Sequence, residues 1–259
     1  VGDNLSIISP NSVAYVAGVA FWMGTDTFYS YEGGVLPLPS ALRRFVFNDF
    51  NYLQALQVVA GSNEAFNEVW WFYCSANAAS IDRYVVYNYV DKIWYYGTLS
   101  RTAWLDTGTR QYPLAATSSS NLVNHEEGVD DNETATTAAI SAYITSGEFD
   151  VADGDRFAFA WRILPDITFD GSTASSPAVT MTLYPLNNPG SGYNSPASEG
   201  GVSYADVTRT ATLPVEAFTQ QLNIRVRARQ LAVKVSSSAV GVQWQLGSPR
   251  IDTRPDGRR

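Results

Sequence analysis

Lysine is almost missing from this chain. Lys92 and Lys234 are the only two, so 15 of the 17 basic residues are arginine. Arginine tolerates partial burial, forks onto carboxylates and stacks on rings, so this bias suits interfaces better than a solvated cationic surface. Histidine is scarcer still: with His125 alone, a His-rich metal centre or a pair of catalytic imidazoles is excluded. Cys74 is the single cysteine, which rules out an internal disulfide, and its place after Trp70, Trp71, Phe72 and Tyr73 fits a small buried thiol. No window approaches the length of apolar run that spans a bilayer, and the opening VGDNLS does not resemble a signal peptide. A soluble chain that does not insert into membranes, assembled in a reducing cytoplasm, is therefore expected. Positive charge is also outweighed, with 17 basic against 25 acidic residues and a net charge of −8, so a surface that grips nucleic acid throughout is excluded. An acidic wall that DNA slides past remains compatible with that balance.

Aromatic residues are abundant: 7 Trp, 15 Tyr and 12 Phe, alongside many Thr, Val and Ser, favour strands over helices. The class reads as mainly β. Residues Val13 to Tyr31 are short apolar runs broken by Ala-Gly and Gly-Thr-Asp turns, and a second such unit runs through EVWWFYC (68–74), RYVVYNYV (83–90) and IWYYGTL (93–99). The pieces FWMG, WYYG and WQLG share an aromatic-x-x-Gly ending, which together with units of roughly 40–50 residues suggests β-propeller blades. Between the two units, Pro39 to Phe50 places Leu42, Phe45, Val46 and Phe50 on one helical face, so a short helix is predicted near 39–59. Trp70, Trp71, Trp94, Tyr95 and Tyr96 lie inside strand runs and are expected to pack in a core or subunit contact rather than form a ligand platform.

Residues Ser118 to Thr137 are polar and acidic and read as a long exposed loop and a soft boundary. The division expected is a propeller-like region, 1–137, followed by a C-terminal β domain, 138–259, of sandwich-like or barrel-like form. In the second, DRFAFAWRI sets Phe157, Phe159 and Trp161 on one face, and Asn187 to Gly201 reads as a Gly, Pro and Ser loop. In Gln221 to Val235, alternation puts Arg225, Arg227, Arg229, Leu231, Val233 and Val235 on one face. Three guanidiniums and three aliphatics suit no single core. The expectation is a bulge near Gln230 that reverses the faces, with passage of the strand into a subunit contact as the alternative.

Little of this is catalytic. The stretch NHEEGVDDNE gathers Glu126, Glu127, Asp130, Asp131 and Glu133, and oxygen ligands at that density make Glu126, Asp130 and Asp131 weak calcium candidates, although the spacing is not that of a helix-flanked calcium loop. A solvated acidic loop is the plainer reading. Asp150, Asp153 and Asp155 form a second acidic cluster in a turn. There is no G-x-S-x-G elbow and no phosphate-cradling Gly loop with its Lys. The expectation is no enzyme, no cofactor and no bound metal.

The propeller count does not close, because residues 1 to about 145 hold two or three blade-like units where a closed ring needs at least four. The chain also opens on Val1, which suggests a processed or truncated N-terminus. The succession EVWWFYCS, DRYVVYNYVDKIWYYGTLSRTAWLD, NHEEGVDD, GDRFAFAWRILPD, RVRARQLAVKV and WQLGSPRIDTRPDGRR resembles a family of podovirus-type phage virion proteins, described as tail hub, tail nozzle or packaged-DNA stabilisation proteins. The resemblance spans about Asn11 to Arg259. It implies a β-propeller-based subunit in a ring, commonly six-fold, below portal and adaptor, that retains the genome and opens for its ejection. This chain would then be the C-terminal part of a larger subunit, in the virion tail, touching packaged double-stranded DNA only transiently. Arg225, Arg227, Arg229, Arg258 and Arg259 would make subunit or adaptor contacts, and the loop Glu126 to Glu133 would face lumen or solvent. A receptor-binding or carbohydrate-binding virion module is the alternative.

Overall fold

The structure is a computed structural model that describes residues 5–151, 154–187 and 210–257. The chain is mainly β and divides into two compact units, residues 1–127 and 128–259. The sequence reading set this division after residue 137. In the structure, the second half of the acidic stretch pairs Asp130–Asp131 with Ala138–Ala139 and so belongs to the second unit.

The first unit opens with an antiparallel meander of β1 (Val13–Val16), β2 (Val19–Met23), β3 (Phe28–Tyr31) and β4 (Val35–Leu38). The β1–β2 hairpin closes through Ala17 and Gly18, both at positive φ (52° and 81°), a two-residue turn whose twist matches that of the strands. Helix α1 (Arg43–Asn48) is shorter than predicted. Its start lacks a side-chain cap, and beyond it Phe50 bridges to Ser75 and the Asn51 amide donates to the Cys74 carbonyl, which draws the chain into the sheet. The predicted face still holds, since Leu42, Phe45, Val46 and Phe50 are all buried. A 3₁₀ turn, Tyr52–Gln57, leads into the second meander: β5 (Val59–Asn63), β6 (Glu68–Tyr73), β7 (Arg83–Asn88) and β8 (Ile93–Thr98). A third, smaller sheet follows, of β9 (Ala103–Leu105), β10 (Leu114–Ala116) and β11 (Leu122–Asn124).

The three sheets pack face to face. All six residues of β6 are buried; its apolar run Val69–Tyr73 is covered on both sides, and Glu68 at its head is the one charged residue. Val69, Trp71 and Tyr73 meet Met23, Phe28 and Val46 in one cluster, while Trp70 and Phe72 meet Trp104 of β9 in another. The strand aromatics pack as expected: Trp94 lies 4.6 Å from Tyr87 and 4.7 Å from Phe28 between ring centroids, and Tyr96 lies 4.3 Å from Phe45. Cys74 is buried, and desolvation followed by the nearby Asp82 charge pushes its thiol up, away from reactivity. The first strands of the three sheets are neighbours, β5 lying beside both β1 and β9. The far faces of this stack are open. Val13, Tyr15 and Tyr31 are exposed on one, where Trp22 stacks on Tyr29, and Leu105 and Leu122 are exposed on the other.

The second unit begins with the short pair β12 (Asp130–Asp131) and β13 (Ala138–Ala139). The strands that follow are β14 (Ala142–Thr145), β15 (Phe149–Asp150), β16 (Ala158–Leu164), β17 (Ile167–Thr168), β18 (Ala178–Leu186), β19 (Ala211–Glu216), β20 (Leu222–Ala228), β21 (Gln230–Ser237), β22 (Gln245–Leu246) and β23 (Arg250–Pro255). One sheet runs β14-β21-β18-β19, with β15 also pairing β21, and another runs β20-β16-β23. They share one core of Ala160 and Ile163, Met181 and Leu183, Val215, Ile224 and Val226, Leu231 and Val235.

The long arginine-rich segment differs from expectation at its middle. No bulge near Gln230 reverses it; instead the chain leaves one sheet and enters the other at Arg229. Ile224, Val226 and Ala228 point inward before that corner, and Leu231 and Val235 after it, so the inward parity changes without an inserted residue. The Arg229 amide donates to Leu186 and its carbonyl accepts from Val151, which satisfies the corner backbone. The register instead shifts between Ala160 and Arg162 of β16: Trp161 is the extra residue against β23, whereas against β20 it stands opposite two residues, Ile224 and Arg225.

Candidate interaction face

The outward face of the sheet β20-β16-β23 collects five of the seven described arginines of the second unit. Strand alternation turns Arg225 and Arg227 outward on β20, and register places Phe159 between Arg227 and Arg254. Beyond the Trp161 bulge, Arg162 pairs in register with Asp252, and Leu164 with Arg250. Five guanidiniums (Arg162, Arg225, Arg227, Arg250, Arg254) thus stand against two carboxylates (Asp252, Asp256), a net +3 on a chain of net −8.

Rings hold these cations in place. Arg227 lies 3.9 Å and Arg229 4.8 Å from the centroid of Phe157, Arg254 lies 4.9 Å from Phe159, and Arg162 lies 4.8 Å from Trp161. Each exposed contact of this kind contributes about 0.5–1 kcal/mol and, more usefully, restricts a long side chain to one region. Arg162 also pairs with Asp252, and Arg227 Nε donates to Asp256 Oδ2. Arg225, Arg250 and Arg254 are exposed, and none of the three makes an ion pair among the described residues. The result is a sheet face of pre-positioned, partly uncompensated forks, which is what recognition of carboxylate or phosphate oxygens requires.

Of the arginines singled out in the sequence, Arg225 and Arg227 lie on this face and Arg229 sits half-buried at its corner; Arg258 and Arg259 lie outside the described residues. Sequence reasoning missed Arg162, Arg250 and Arg254. The signal was present, since Arg250 and Arg254 are four apart in RIDTR, as residues sharing a strand face must be. The predicted alignment of Phe157, Phe159 and Trp161 holds, with Ala158 and Ala160 buried between them.

The acidic stretch is less free than expected. Glu126, at φ 59°, and Glu127 are both exposed, yet Glu126 accepts from Asn63 Nδ2 at 3.2 Å and Glu127 from Asn124 at 2.7 Å. Asp130 accepts from the Gly241 amide at 2.7 Å, and Asp131 from the Glu133 amide at 2.9 Å. Asp150 accepts from Gln230 at 2.8 Å, and Asp153 lies outside the described residues. Among the described residues, no three His, Cys, Asp or Glu side chains converge as metal ligands would.

Beside Glu126 lies a half-buried polar cluster. Glu68, at the head of β6, accepts from Trp70 Nε1 at 2.9 Å and from the Tyr95 hydroxyl. Burial pushes its carboxyl up, against the pull of those two bonds. Burial and then the Glu68 charge raise Glu126 as well, with the Asn63 bond opposing. His125, 4.6 Å from the Trp104 ring, accepts from Arg101 Nε at 2.8 Å; burial first and the Arg101 charge second lower it to about 4. These donors and acceptors are engaged internally, so Glu126 is tied to β5 through Asn63 and His125 to Arg101 and to Trp104 of β9. Neither a family model nor a curated protein matches the chain.

Proposed function

We propose that this chain is a structural, non-catalytic subunit of a phage tail, part of a ring-forming hub or nozzle that lines the channel for genome retention and ejection. The observation that carries the reading is the arginine and aromatic face, a net-cationic surface on an acidic chain, built for contact with another macromolecule and not for chemistry. In this reading Arg225, Arg227 and Arg229, with Arg258 and Arg259, meet carboxylates of a neighbouring subunit or adaptor, and the acidic remainder keeps packaged DNA from adhering.

The arrangement of the first unit supports a propeller. Its sheets are meanders whose first strands stand side by side, as the innermost strands of successive blades do, and both end faces of the stack are apolar and open. The two facing sheets of the second unit support a sandwich. A homo-oligomeric, commonly six-fold ring in the virion tail follows from the sequence resemblance. The test is the position of the protein in a map of the intact virion: density on the tail axis with the arginine face at a subunit boundary is expected, and density on the capsid shell away from the axis would refute the reading.

A further inference from the structure

The outer face of the other sheet of the second unit carries a shallow basin of about 330 Å³, lined by Ser141, Tyr143, Thr180, Lys234, Ser236 and Ser238 among others. Register sets Tyr143, Ser236 and Thr180 in one row across β14, β21 and β18, with Lys234 two residues along β21 on the same face. The Lys234 ammonium sits 4.6 Å from the centroid of the Tyr143 ring and pairs with no carboxylate among the described residues. The hydroxyls of Ser141, Thr180, Ser236 and Ser238 likewise make no hydrogen bond to another described residue. No acid lines the basin.

We propose that this basin binds a sugar ring bearing a single carboxylate, a uronic acid unit. One ammonium matches one carboxylate in charge, where a phosphate dianion would leave a charge uncompensated. The volume falls in the range of small-ligand sites and exceeds what a bare oxyanion fills. The free hydroxyls, each able to donate and accept, suit the hydroxyls of a sugar ring. The inference is independent of the tail reading and is read on the isolated chain.

The experiment is a titration of the full chain with sodium glucuronate, glucose or inorganic phosphate up to about 50 mM, followed by amide NMR shifts. Glucuronate is expected to shift Tyr143, Thr180 and Ser236 with millimolar affinity, and glucose to bind about tenfold more weakly. Lys234→Gln should lower glucuronate affinity about tenfold, Lys234→Arg should retain it, and Ser236→Ala should weaken it about threefold. Thermal melts check that each variant is folded, and Ser236→Ala still reports if Lys234→Gln is not. Absence of shifts, phosphate binding as tightly as glucuronate, or an unaltered affinity in folded Lys234→Gln would overturn the proposal.

Discussion

At the scale of single residues, His125 makes the fold sensitive to acid. Its folded-state value of about 4 lies below the ordinary 6.5, because burial and Arg101 oppose the charged ring. The stability this brings is present in full above about pH 6.5 and is lost as pH falls towards 4. Glu68 and Glu126 are raised, so their contribution has the opposite sign: it is present below their ordinary value and lost as pH rises through the raised one. Denaturant melts of His125→Gln should therefore show a smaller drop between about pH 7 and pH 4.5 than the parent, by about 1–2 kcal/mol after allowing for partial solvent access. An unchanged pH profile would mean that His125 titrates normally. At Gly61, a Cβ would stand 2.3 Å from the Trp104 ring, so Gly61→Ala should lower stability by about 1–3 kcal/mol through overpacking. Calorimetry reads that change directly. Neither site was legible in the sequence: His125 sits in an acidic run that reads as solvated, and its surroundings are made by Arg101 and Trp104, more than 20 positions earlier, while Glu126 beside it meets Asn63, 63 positions earlier.

At the scale of elements, period-two alternation gave the inward residues of β20 and of β16 as far as Ala160, and failed at Trp161, after which Ile163 turns inward, and again at Arg229. A corner between sheets changes parity as a bulge does, and no local residue type distinguishes the two. The arginine face followed from the same alternation only where arginines were adjacent in sequence; Arg250 and Arg254 needed the pairing of β23 with β16. Since Arg225 and Arg254 are exposed, Arg225→Glu with Arg254→Glu should leave the melting temperature nearly unchanged and, on the proposed tail reading, abolish ring assembly in particles, scored by electron microscopy. Assembly of normal tails by that double variant would remove the face from the interface. Replacing Phe157 with Ala removes the platform for Arg227 and Arg229 and should destabilise the second unit by about 1–3 kcal/mol, measured in urea.

At the scale of the molecule, composition was enough for the mainly β class, because aromatic and β-branched abundance is a bulk property. The number of sheets, their order and their open end faces are not bulk properties and came only with the pairing. Tyr15 is 72% exposed and Leu122 71%, at opposite ends of the three-sheet stack of the first unit. If the proposed propeller closes in an assembled particle, Tyr15 and Tyr31 should there be protected from covalent surface labelling severalfold relative to the isolated chain, and equal labelling in both would argue against closure.

The corner at Arg229 also sets how the second unit carries load. Strands β20 and β21 are one continuous length of backbone whose two halves belong to opposite layers. Tension applied to either layer passes to the other along covalent bonds, so the layers cannot slide apart as two sheets joined only by side-chain contacts can. Separation requires both hydrogen-bonded ladders to shear together. A pulling experiment on this unit should show one high-force rupture in place of two smaller ones.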